Sequence, residues 1–323
     1  MTRKDVALRA GVSEATVSHV LNNTKYVSTE LRLRVLEAVN ALGYKPNEVA
    51  RSLVTKTTRH VAIVVTDIKN PYYAEITEGM QEVASKEGYL VSLVRWEDAS
   101  SEQELLELSH RYIDGVFLAA TRANMNDLSQ KLMEQGMAVV QDIWVDYQPA
   151  IETMMDYLAS LGHRHIAFLS GLALNTPGEE RYPGYLRGLA RNGLTVDDSL
   201  VIDGTPPYRT TIQSGYDAMN KALAAPTPPT AVFALNDLMA LGAMQAIRAK
   251  GLRVPDDVSV VGCDDIYLAD SVDPPLTTLR VPKLDMGRLA MNQLLQQIRE
   301  RHHERASVKA ELILRRSTGM ARH

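Results

Sequence analysis

From His60 onwards the chain alternates between short apolar runs and longer amphipathic segments. The apolar runs are typical of buried strands, and they span His60–Thr66, Tyr89–Trp96, Gly115–Ala120, Ala138–Ile143, His165–Gly171, Ala231–Leu235 and Val258–Gly262. The segments between them carry apolar residues at helical spacing, as in Tyr73–Glu87, Glu102–Tyr112, Ala150–Leu161 and Asp237–Lys250. Strands that alternate with helices predict parallel sheets covered by helices. Because 323 residues exceed one ordinary domain, we expect two such sheets with a crevice at their strand ends.

Residues 1–45 have a different pattern, that of three short helices. Gly11 and Gly43 are placed to end the first and third helices, and Ser13 and Ser28 to cap the second and third. The third helix has its apolar positions at Leu31, Val35, Leu36, Val39 and Leu42. Two short helices at a tight turn, braced by a third, predict an all-α helix-turn-helix DNA-binding domain. A plain three-helix bundle is the alternative.

The charge distribution favours the DNA-binding interpretation. Residues 1–60 contain ten Lys and Arg against five Asp and Glu, whereas the remaining residues contain 25 against 34, within an overall charge of −4. The second helix has a short polar face, and basic residues flank it at Arg3, Lys4, Arg9, Lys25, Arg32 and Arg34. This arrangement suits phosphate contacts around a helix that lies in the major groove. We therefore expect double-stranded DNA as a partner of the head alone.

A resemblance to a known family supports both predictions. The run KDVALRAGVSEATVSHVLNN, followed by YVSTELRLRVLEAVNALGYKPNEVARSL, resembles the lactose/galactose-repressor (LacI/GalR) family nearly position by position. The purine-repressor branch of that family also has Thr-Val-Ser-His, whereas many members carry Arg in place of His19. The resemblance implies a DNA-binding transcriptional regulator, by default a repressor, that binds a pseudo-palindromic operator as a homodimer. It also implies that a small-molecule effector controls the affinity for DNA.

The predicted DNA-binding residues come from the head and from a hinge. In the head they are Thr2, Lys4, Ser13, Glu14, Ala15, Thr16, Ser18, His19, Asn22 and Tyr26. Residues 46–58 are predicted to form a hinge helix and linker, and they contribute Asn47, Ala50, Arg51 and Leu53. A helix this short is marginal alone, so we expect it to order only when it docks. In the resembling family this helix lies in the minor groove and wedges Leu53 into the central base step; an inert linker is the alternative.

Residues 59–323 form the predicted effector-binding and dimerisation domain, an α/β body with two lobes like that of periplasmic binding proteins. The first lobe is expected at about 59–143 and 282–310, and the second at about 144–281 and 311–323. Polar and aromatic residues near the strand ends are the candidate effector ligands: Asp67, Asn70, Tyr72, Tyr73, Asp142, Arg181, Tyr208, Asn236 and Asp264.

The chemistry of these candidates suits a hydroxylated ligand. Carboxylates and amides bind hydroxyl groups, Arg donates to pairs of oxygens, and aromatic rings stack on sugar faces. In sugar-responsive members of the resembling family, the positions of Arg181, Asn236 and Asp264 hold the effector. We therefore expect a sugar or sugar derivative as the effector. For Asp237 we favour a helix-capping role over a ligand role.

Two departures from the family pattern affect the predicted pocket. Only residues 143–145 separate Asp142 from Asp146, where family members have a longer connection that includes another strand. Cys263 stands where Tyr or Phe is usual. A repressor with an altered pocket, controlled by a partner protein or without a ligand, is therefore an alternative to effector control.

The remaining sequence motifs argue against an enzyme, a membrane protein or a sugar receptor. The chain has no Gly-Lys pair for a phosphate loop and no Gly-x-Ser-x-Gly elbow, and its histidine pairs lack zinc-ligand spacing, so we expect no enzyme, cofactor or metal. No apolar run is long enough for a membrane span, and a single cysteine suits the reducing cytoplasm. A purely sugar-binding receptor would share the two-lobed body, but the basic head and the missing export signal argue against it.

Overall fold

The computed structural model describes residues 1–22, 24–45, 57–96, 103, 105–107, 113–119, 125–141, 143–176, 179–300 and 306–322. The chain divides into two compact units, Met1–Thr58 and Arg59–His323. Several predicted features lie outside the described residues: the hinge residues Asn47, Ala50, Arg51 and Leu53, most of the predicted helix Glu102–Tyr112, and Asp142.

The first unit contains three helices, α1 (Arg3–Ala10), α2 (Glu14–Asn22) and α3 (Thr29–Leu42). Gly11 ends α1 and Gly43 ends α3, each in the left-handed conformation, at φ 65° and 59°. This conformation is favourable for glycine, as the sequence predicted. The side chain of Ser13 accepts a hydrogen bond from Thr16 N at 3.1 Å, and that of Ser28 accepts one from Leu31 N at 3.5 Å.

Small and β-branched residues form the core of this unit. The buried side chains are Val6, Ala7, Ala10, Val17, Val20, Val35 and Ala38. Leu36 was placed on the apolar face of α3 by its spacing, but its side chain is 41% exposed and Ala38 lies in the core instead. Val35 and Ala38 lie three positions apart on the buried face of α3, and Leu36 follows Val35 by one residue, a rotation of about 100° around the helix that turns it away from this face.

The second unit contains two main sheets and a small third one. Its strands are β1 (His60–Val65), β2 (Leu90–Arg95), β3 (Gly115–Leu118), β4 (Ala138–Gln141), β5 (Trp144–Asp146), β6 (Ile166–Leu169), β7 (Val201–Ile202), β8 (Ala231–Ala234), β9 (Ser259–Asp264), β10 (Thr277–Arg280), β11 (Ser307–Lys309) and β12 (Glu311–Ile313). Its helices are α4 (Pro71–Glu87), α5 (Met125–Glu134), α6 (Gln148–Ser160), α7 (Arg181–Arg191), α8 (Ile212–Leu223), α9 (Asp237–Ala249), α10 (Tyr267–Ser271) and α11 (Lys283–Glu300), with a 3₁₀ turn at Asp198–Leu200.

The first sheet has the strand order β2-β1-β3-β4, and all its pairings are parallel. Side chains of β1 alternate between two cores: Val61, Ile63 and Val65 lie in one, and Ala62 and Val64 lie in the other. Helices α4 and α11 pack against each other, and α11 also packs on β3 and β4. Both faces of the sheet are therefore buried, which explains the continuous apolar run of β1.

The second sheet has the order β12-β10-β9-β8-β6-β7. It is parallel except for β12, which runs antiparallel to β10. Its central strands β6 and β8 are buried at every residue, and α8 packs with α9 as α6 packs with α7. This is the parallel, helix-covered α/β architecture that the alternation predicts.

The connection after β4 keeps a strand in spite of its short length. Strand β5 begins three residues after β4 ends, and it pairs in parallel with β11, with Trp144 opposite Ser307. The connection after β4 is short, as the sequence indicated, but it still contains a strand. In the part of the chain that the structure covers, no helix is both long and apolar enough to cross a membrane.

Candidate functional site

Helix α2 presents a polar face outwards over a buried apolar face. Val17 and Val20 are buried, while the predicted DNA-binding residues on the other side are exposed (Glu14, Ala15, Asn22) or partly exposed (Thr16, Ser18, His19). Two hydrogen bonds order this face: His19 Nδ1 lies 2.9 Å from Thr24 Oγ1, and Asn22 Nδ2 donates to Ser18 Oγ at 3.2 Å. The face is therefore narrow, polar and partly preorganised.

The surroundings of α2 add exposed positive charge. Arg3, Lys4, Arg9 and Lys25 are exposed, and the predicted contact residues Thr2, Ser13 and Tyr26 are exposed as well. Arg34 has a different role from the phosphate contact that the sequence suggested: its Nη2 donates to the Ala10 carbonyl at 2.6 Å. This bond fixes the end of α1 against α3.

A cleft in the second unit lies where strands of both main sheets end. Its lining includes eight of the nine predicted effector-binding residues, Asp67, Asn70, Tyr72, Tyr73, Arg181, Tyr208, Asn236 and Asp264. The ninth, Asp142, lies outside the described residues. A crevice beyond the carboxyl ends of parallel strands is the usual ligand site of such sheets.

The side of the cleft after β1 is built around the start of α4. Asn70 is buried, and its Oδ1 accepts a hydrogen bond from Tyr72 N at 3.0 Å, so this residue caps α4. The rings of Tyr72 and Tyr73 meet edge to face with their centroids 5.2 Å apart. Tyr73 OH lies 3.1 Å from Thr66 Oγ1. These contacts hold two phenol rings at the cleft wall.

On the opposite side, Arg181 begins α7 and is held by three kinds of contact. Its Nε donates to Glu179 Oε1 at 2.5 Å, its Nη1 donates to the Leu235 carbonyl at 2.9 Å, and its guanidinium carbon lies 5.3 Å from the ring centroid of Tyr147. Burial alone would lower the pKa of Arg181, but the adjacent Glu179 outweighs this effect and raises that pKa above its ordinary value. Arg181 is therefore a fixed, permanently charged donor.

Asn236 and Asp237 differ in role, although they are adjacent. Asn236 caps α9, since its Oδ1 accepts from Met239 N at 2.9 Å, and its Nδ2 donates to the Thr210 carbonyl at 3.2 Å. Asp237 was expected to cap the same helix, and this prediction was wrong. Its buried carboxylate instead accepts hydrogen bonds from Ile266 N at 2.8 Å and from Thr278 Oγ1 at 2.5 Å, so it anchors the turn that follows β9.

Asp264 ends β9 at the base of the cleft with an unusual backbone. It has φ 117°, and Asp265 follows at φ 54°, both in the region that disfavours side chains other than glycine. Asp264 is 5% exposed, and its carboxyl group lines the cleft, where Arg181 and Lys283 are the nearby cations. Burial raises the pKa of this carboxyl to about 7, against the lowering effects of Arg181 and Lys283. The carboxylate is thus available to a ligand that donates hydrogen bonds.

Lys283 holds the other side of this turn. Its Nζ donates to the carbonyls of Asp264 and Asp265 at 2.6 and 2.8 Å, and lies 3.5 Å from Glu75 Oε2. Lys283 starts α11 and Glu75 belongs to α4, so one buried ammonium group links the strained turn to two helices of the other sheet.

The cleft also includes residues that the sequence did not single out as ligands: Thr66, Ala119, Trp144, Val145, Tyr147, Leu172, Glu179, Arg209, Thr210, Thr211 and Leu235. Of these, Glu179 had a usable signal, because an acidic residue two positions before a candidate Arg is within reach of it. Among the described residues, no group of three or more His, Cys, Asp and Glu is placed to hold a metal ion.

Family models match both parts of the chain. The model described as bacterial regulatory proteins, lacI family, matches residues 2–47, and a periplasmic binding protein-like domain matches residues 155–318. The HTH-type transcriptional repressors PurR of Histophilus somni (strain 129Pt) and Pasteurella multocida (strain Pm70) are each 35% identical over 331 residues, which cover 98% of both chains.

Solved structures of transcriptional regulators also match nearly the whole chain. A complex of the transcriptional regulator CelR with cellobiose is 32% identical, with a TM-score of 0.72, and the match covers 98% of this chain and 99% of that one. The lac repressor dimer bound to operator and the anti-inducer ONPF is 26% identical, with a TM-score of 0.82 and 99% coverage of both chains.

Proposed function

Because this chain belongs to the lacI family of bacterial regulatory proteins and is a DNA-binding transcriptional repressor, we propose that it binds a pseudo-palindromic operator as a homodimer under effector control. The observation that carries the proposal is the pairing of an exposed polar recognition helix with a cleft of convergent polar groups in one chain. The relatives with which the chain shares 35% identity are transcriptional repressors and not enzymes.

DNA contacts are proposed for the head and the hinge. The exposed face of α2, with His19, Thr16 and Ala15, would meet base edges, and the exposed basic residues around it would meet phosphates. The hinge, proposed for residues 46–58 after a head of 1–45, would contribute Asn47, Ala50, Arg51 and Leu53. Two heads on one operator require a twofold dimer, which the similarity to an operator-bound lac repressor dimer supports.

Operator binding as a dimer is tested by selecting duplexes from a random pool with the full chain. We expect the selected sequences to share an inverted repeat. Analytical ultracentrifugation of the complex should then give two chains for each duplex. A selected site without twofold symmetry, or one chain on each duplex, would contradict the dimer proposal.

A sugar or sugar derivative is the first candidate for the effector. Asp67, Arg181 and Asp264 combine carboxylate acceptors with a fixed guanidinium donor, and aromatic rings of Tyr72, Tyr73 and Tyr147 line the same cleft. This mixture suits a ring with many hydroxyl groups. The similarity to a regulator solved with cellobiose supports the same class. A purine base is the second candidate, favoured by the relatives named PurR at 35% identity.

A thermal-shift screen of the full chain distinguishes these candidates. A ligand at a hundred times its dissociation constant adds roughly 2.7 kcal/mol to the free energy of unfolding. Stabilisation by sugars, and not by purine bases, is the expected result. Stabilisation by purine bases alone would favour the second candidate, and a screen without any stabilising ligand would favour control by a partner protein.

A further inference from the structure

The charged groups of the cleft define what kind of effector it accepts. Of the described residues that line it, three are acidic and two are basic: Asp67, Glu179, Asp264, Arg181 and Arg209. Arg209 is exposed, whereas Arg181 and Asp264 have little exposure. Among the lining residues with little exposure there is therefore one guanidinium, that of Arg181, and there are two carboxyl groups, those of Glu179 and Asp264.

The charge of Arg181 is already balanced by Glu179. The Glu179 side chain is 4% exposed and accepts three hydrogen bonds, from Arg181 Nε at 2.5 Å, from Arg181 N at 3.1 Å and from Tyr182 N at 3.0 Å. Burial would raise the pKa of this carboxyl, but Arg181 and the backbone donors outweigh it and lower the pKa. Glu179 is thus ionised, and the pair presents hydrogen-bond donors to the cleft without a net charge.

An anionic ligand at this position would meet an unfavourable field. The guanidinium that it would contact already has the Glu179 carboxylate 2.5 Å from its Nε, and the nearby Asp264 carboxyl group adds a second negative charge when it is ionised. Because the cleft base is shielded from water, repulsion between like charges is weakened there less than at a surface. An uncharged ligand keeps its hydrogen bonds to Arg181 and Asp264 without this cost.

We propose that the effector of this protein is an uncharged molecule, and that Glu179 is the specificity-determining residue that excludes phosphorylated and carboxylated ligands. This inference rests on the proposed effector site and names its ligand class. Glu179 acts through Arg181, which makes it a positioning residue as well as a neutralising one.

Matched ligand pairs test the proposal directly. Hexoses and disaccharides are compared with their phosphates and aldonic acids, and purine bases with their nucleoside monophosphates, by thermal shift and calorimetry on the full chain. The expected result is that each ligand that binds does so at least tenfold more tightly than its anionic partner. An anionic ligand that binds as tightly as its uncharged parent, or more tightly, overturns the proposal.

A second measurement needs no knowledge of the effector. Thermal unfolding is followed against inorganic phosphate for the wild type, Glu179→Gln, the control Glu180→Gln, and the double variant Glu179→Gln/Arg181→Met. Glu180 is the adjacent residue, and its half-exposed side chain lies 4.0 Å from Arg187 instead of Arg181. Glu179→Gln keeps the side-chain size and removes the negative charge beside Arg181, and it also replaces one acceptor oxygen, such as the one that accepts from Tyr182 N, by an amide nitrogen. The double variant shares this loss of an acceptor, so it is the control for it.

We expect phosphate to stabilise Glu179→Gln by several degrees more than it stabilises the wild type, Glu180→Gln or the double variant. Equal responses of the wild type and Glu179→Gln, or a gain that persists in the double variant, would refute the role of Glu179. If no ligand of either kind binds the wild type, the effector proposal itself fails, while the phosphate series still decides whether Glu179 neutralises Arg181.

Discussion

At the scale of single residues, Asp264 combines a strained backbone with a buried carboxyl group that lines the cleft. Both features cost folding free energy, on the order of 1–3 kcal/mol for the backbone alone. Such costs are typical of ligand sites, where the protein holds a group ready for its partner. Asp237 has a structural role instead, since its side chain accepts hydrogen bonds from Ile266 N and Thr278 Oγ1 and so holds the turn after β9 in place.

The raised pKa of Asp264 predicts a specific dependence of stability on pH. The folded chain keeps a proton on Asp264 up to about pH 7, whereas the unfolded chain loses it near pH 4. Between these values the folded state binds more protons, so the contribution of Asp264 to stability falls as pH rises. Relative to Asp264→Asn, the wild type should lose on the order of a few kcal/mol of unfolding free energy between pH 4 and pH 7.

Urea unfolding of the two proteins across this pH range measures the difference. The difference in unfolding free energy between the two proteins should change between pH 4 and pH 7, where Asp264 loses a proton on unfolding. Curves that are parallel from pH 4 upwards would show that Asp264 has an ordinary pKa in the folded chain.

At the scale of secondary-structure elements, helix α2 depends on its N-terminal cap. Ser13 Oγ accepts from Thr16 N at 3.1 Å and lies at the proposed DNA surface. Ser13→Ala should lower the stability of the head by about 1 kcal/mol, which circular dichroism of the full chain would detect as earlier loss of helix.

Ser13→Asp separates capping from DNA contact. Aspartate caps a helix as well as serine does, so the stability of the head should be retained. Its charge would face the phosphates, so operator affinity should fall more for Ser13→Asp than for Ser13→Ala. The reverse order of affinities would place Ser13 away from the DNA.

The start of α11 supports the strained turn through Lys283. Lys283→Met removes the donor to the carbonyls of Asp264 and Asp265, at a cost of about 1–3 kcal/mol for each buried acceptor left unpaired. We expect the melting temperature to fall by several degrees, whereas Lys86→Met on exposed α4 surface should leave it unchanged. Equal melting temperatures for the wild type and Lys283→Met would show that water replaces the ammonium group at no cost.

Sequence patterns predicted the elements that have a strong periodicity and missed those that do not. Strands β1 and β8 follow from uninterrupted apolar runs, and α9 from the segment Asp237–Lys250. Strands β5, β7, β11 and β12 have two or three residues each, too few for a period to show, and β10 has Leu279 as its one apolar residue. Pairing with a distant segment defines them, as in β5 with β11, and single-sequence patterns carry no such information.

The same limit applies to the cleft. The residues near strand ends, such as Asp67 and Asn236, were predictable because parallel strands bring their carboxyl ends together. The role of Asp237 was not, since Thr278 lies 41 positions away in the chain. The position of Glu179 two residues before Arg181 could have suggested a contact, but its ion pair with Arg181 at 2.5 Å was known only from the structure.

At the scale of the whole molecule, charge is divided between the head and the rest of the chain. Residues 1–60 hold ten basic and five acidic residues, and the remainder has an excess of acidic ones. DNA binding should therefore depend on salt through the head. For 6–10 phosphate contacts, operator affinity should fall by roughly 10³–10⁵ between 50 and 200 mM salt.

Two lysine variants test whether the salt dependence of DNA affinity comes from the head. Lys4→Ala in each head of a dimer should reduce the slope of log affinity against log salt by about 1.8, at roughly 0.9 for each phosphate contact. Lys309→Ala, an exposed lysine of the second unit, should leave the slope unchanged. If anisotropy titrations showed the same change of slope for both variants, phosphate contacts would not be confined to residues 1–45.

Control of DNA binding by a ligand in the cleft is tested most directly by fluorescence-anisotropy titration of the selected operator. The wild type and Asp264→Ala are each titrated with and without a saturating concentration of the stabilising ligand. The predicted result is a change of at least about tenfold in the operator Kd of the wild type, worth about 1.4 kcal/mol, and no change for Asp264→Ala, with similar ligand-free affinities. An unchanged Kd of the wild type, or the same change in both proteins, would contradict effector control through this cleft.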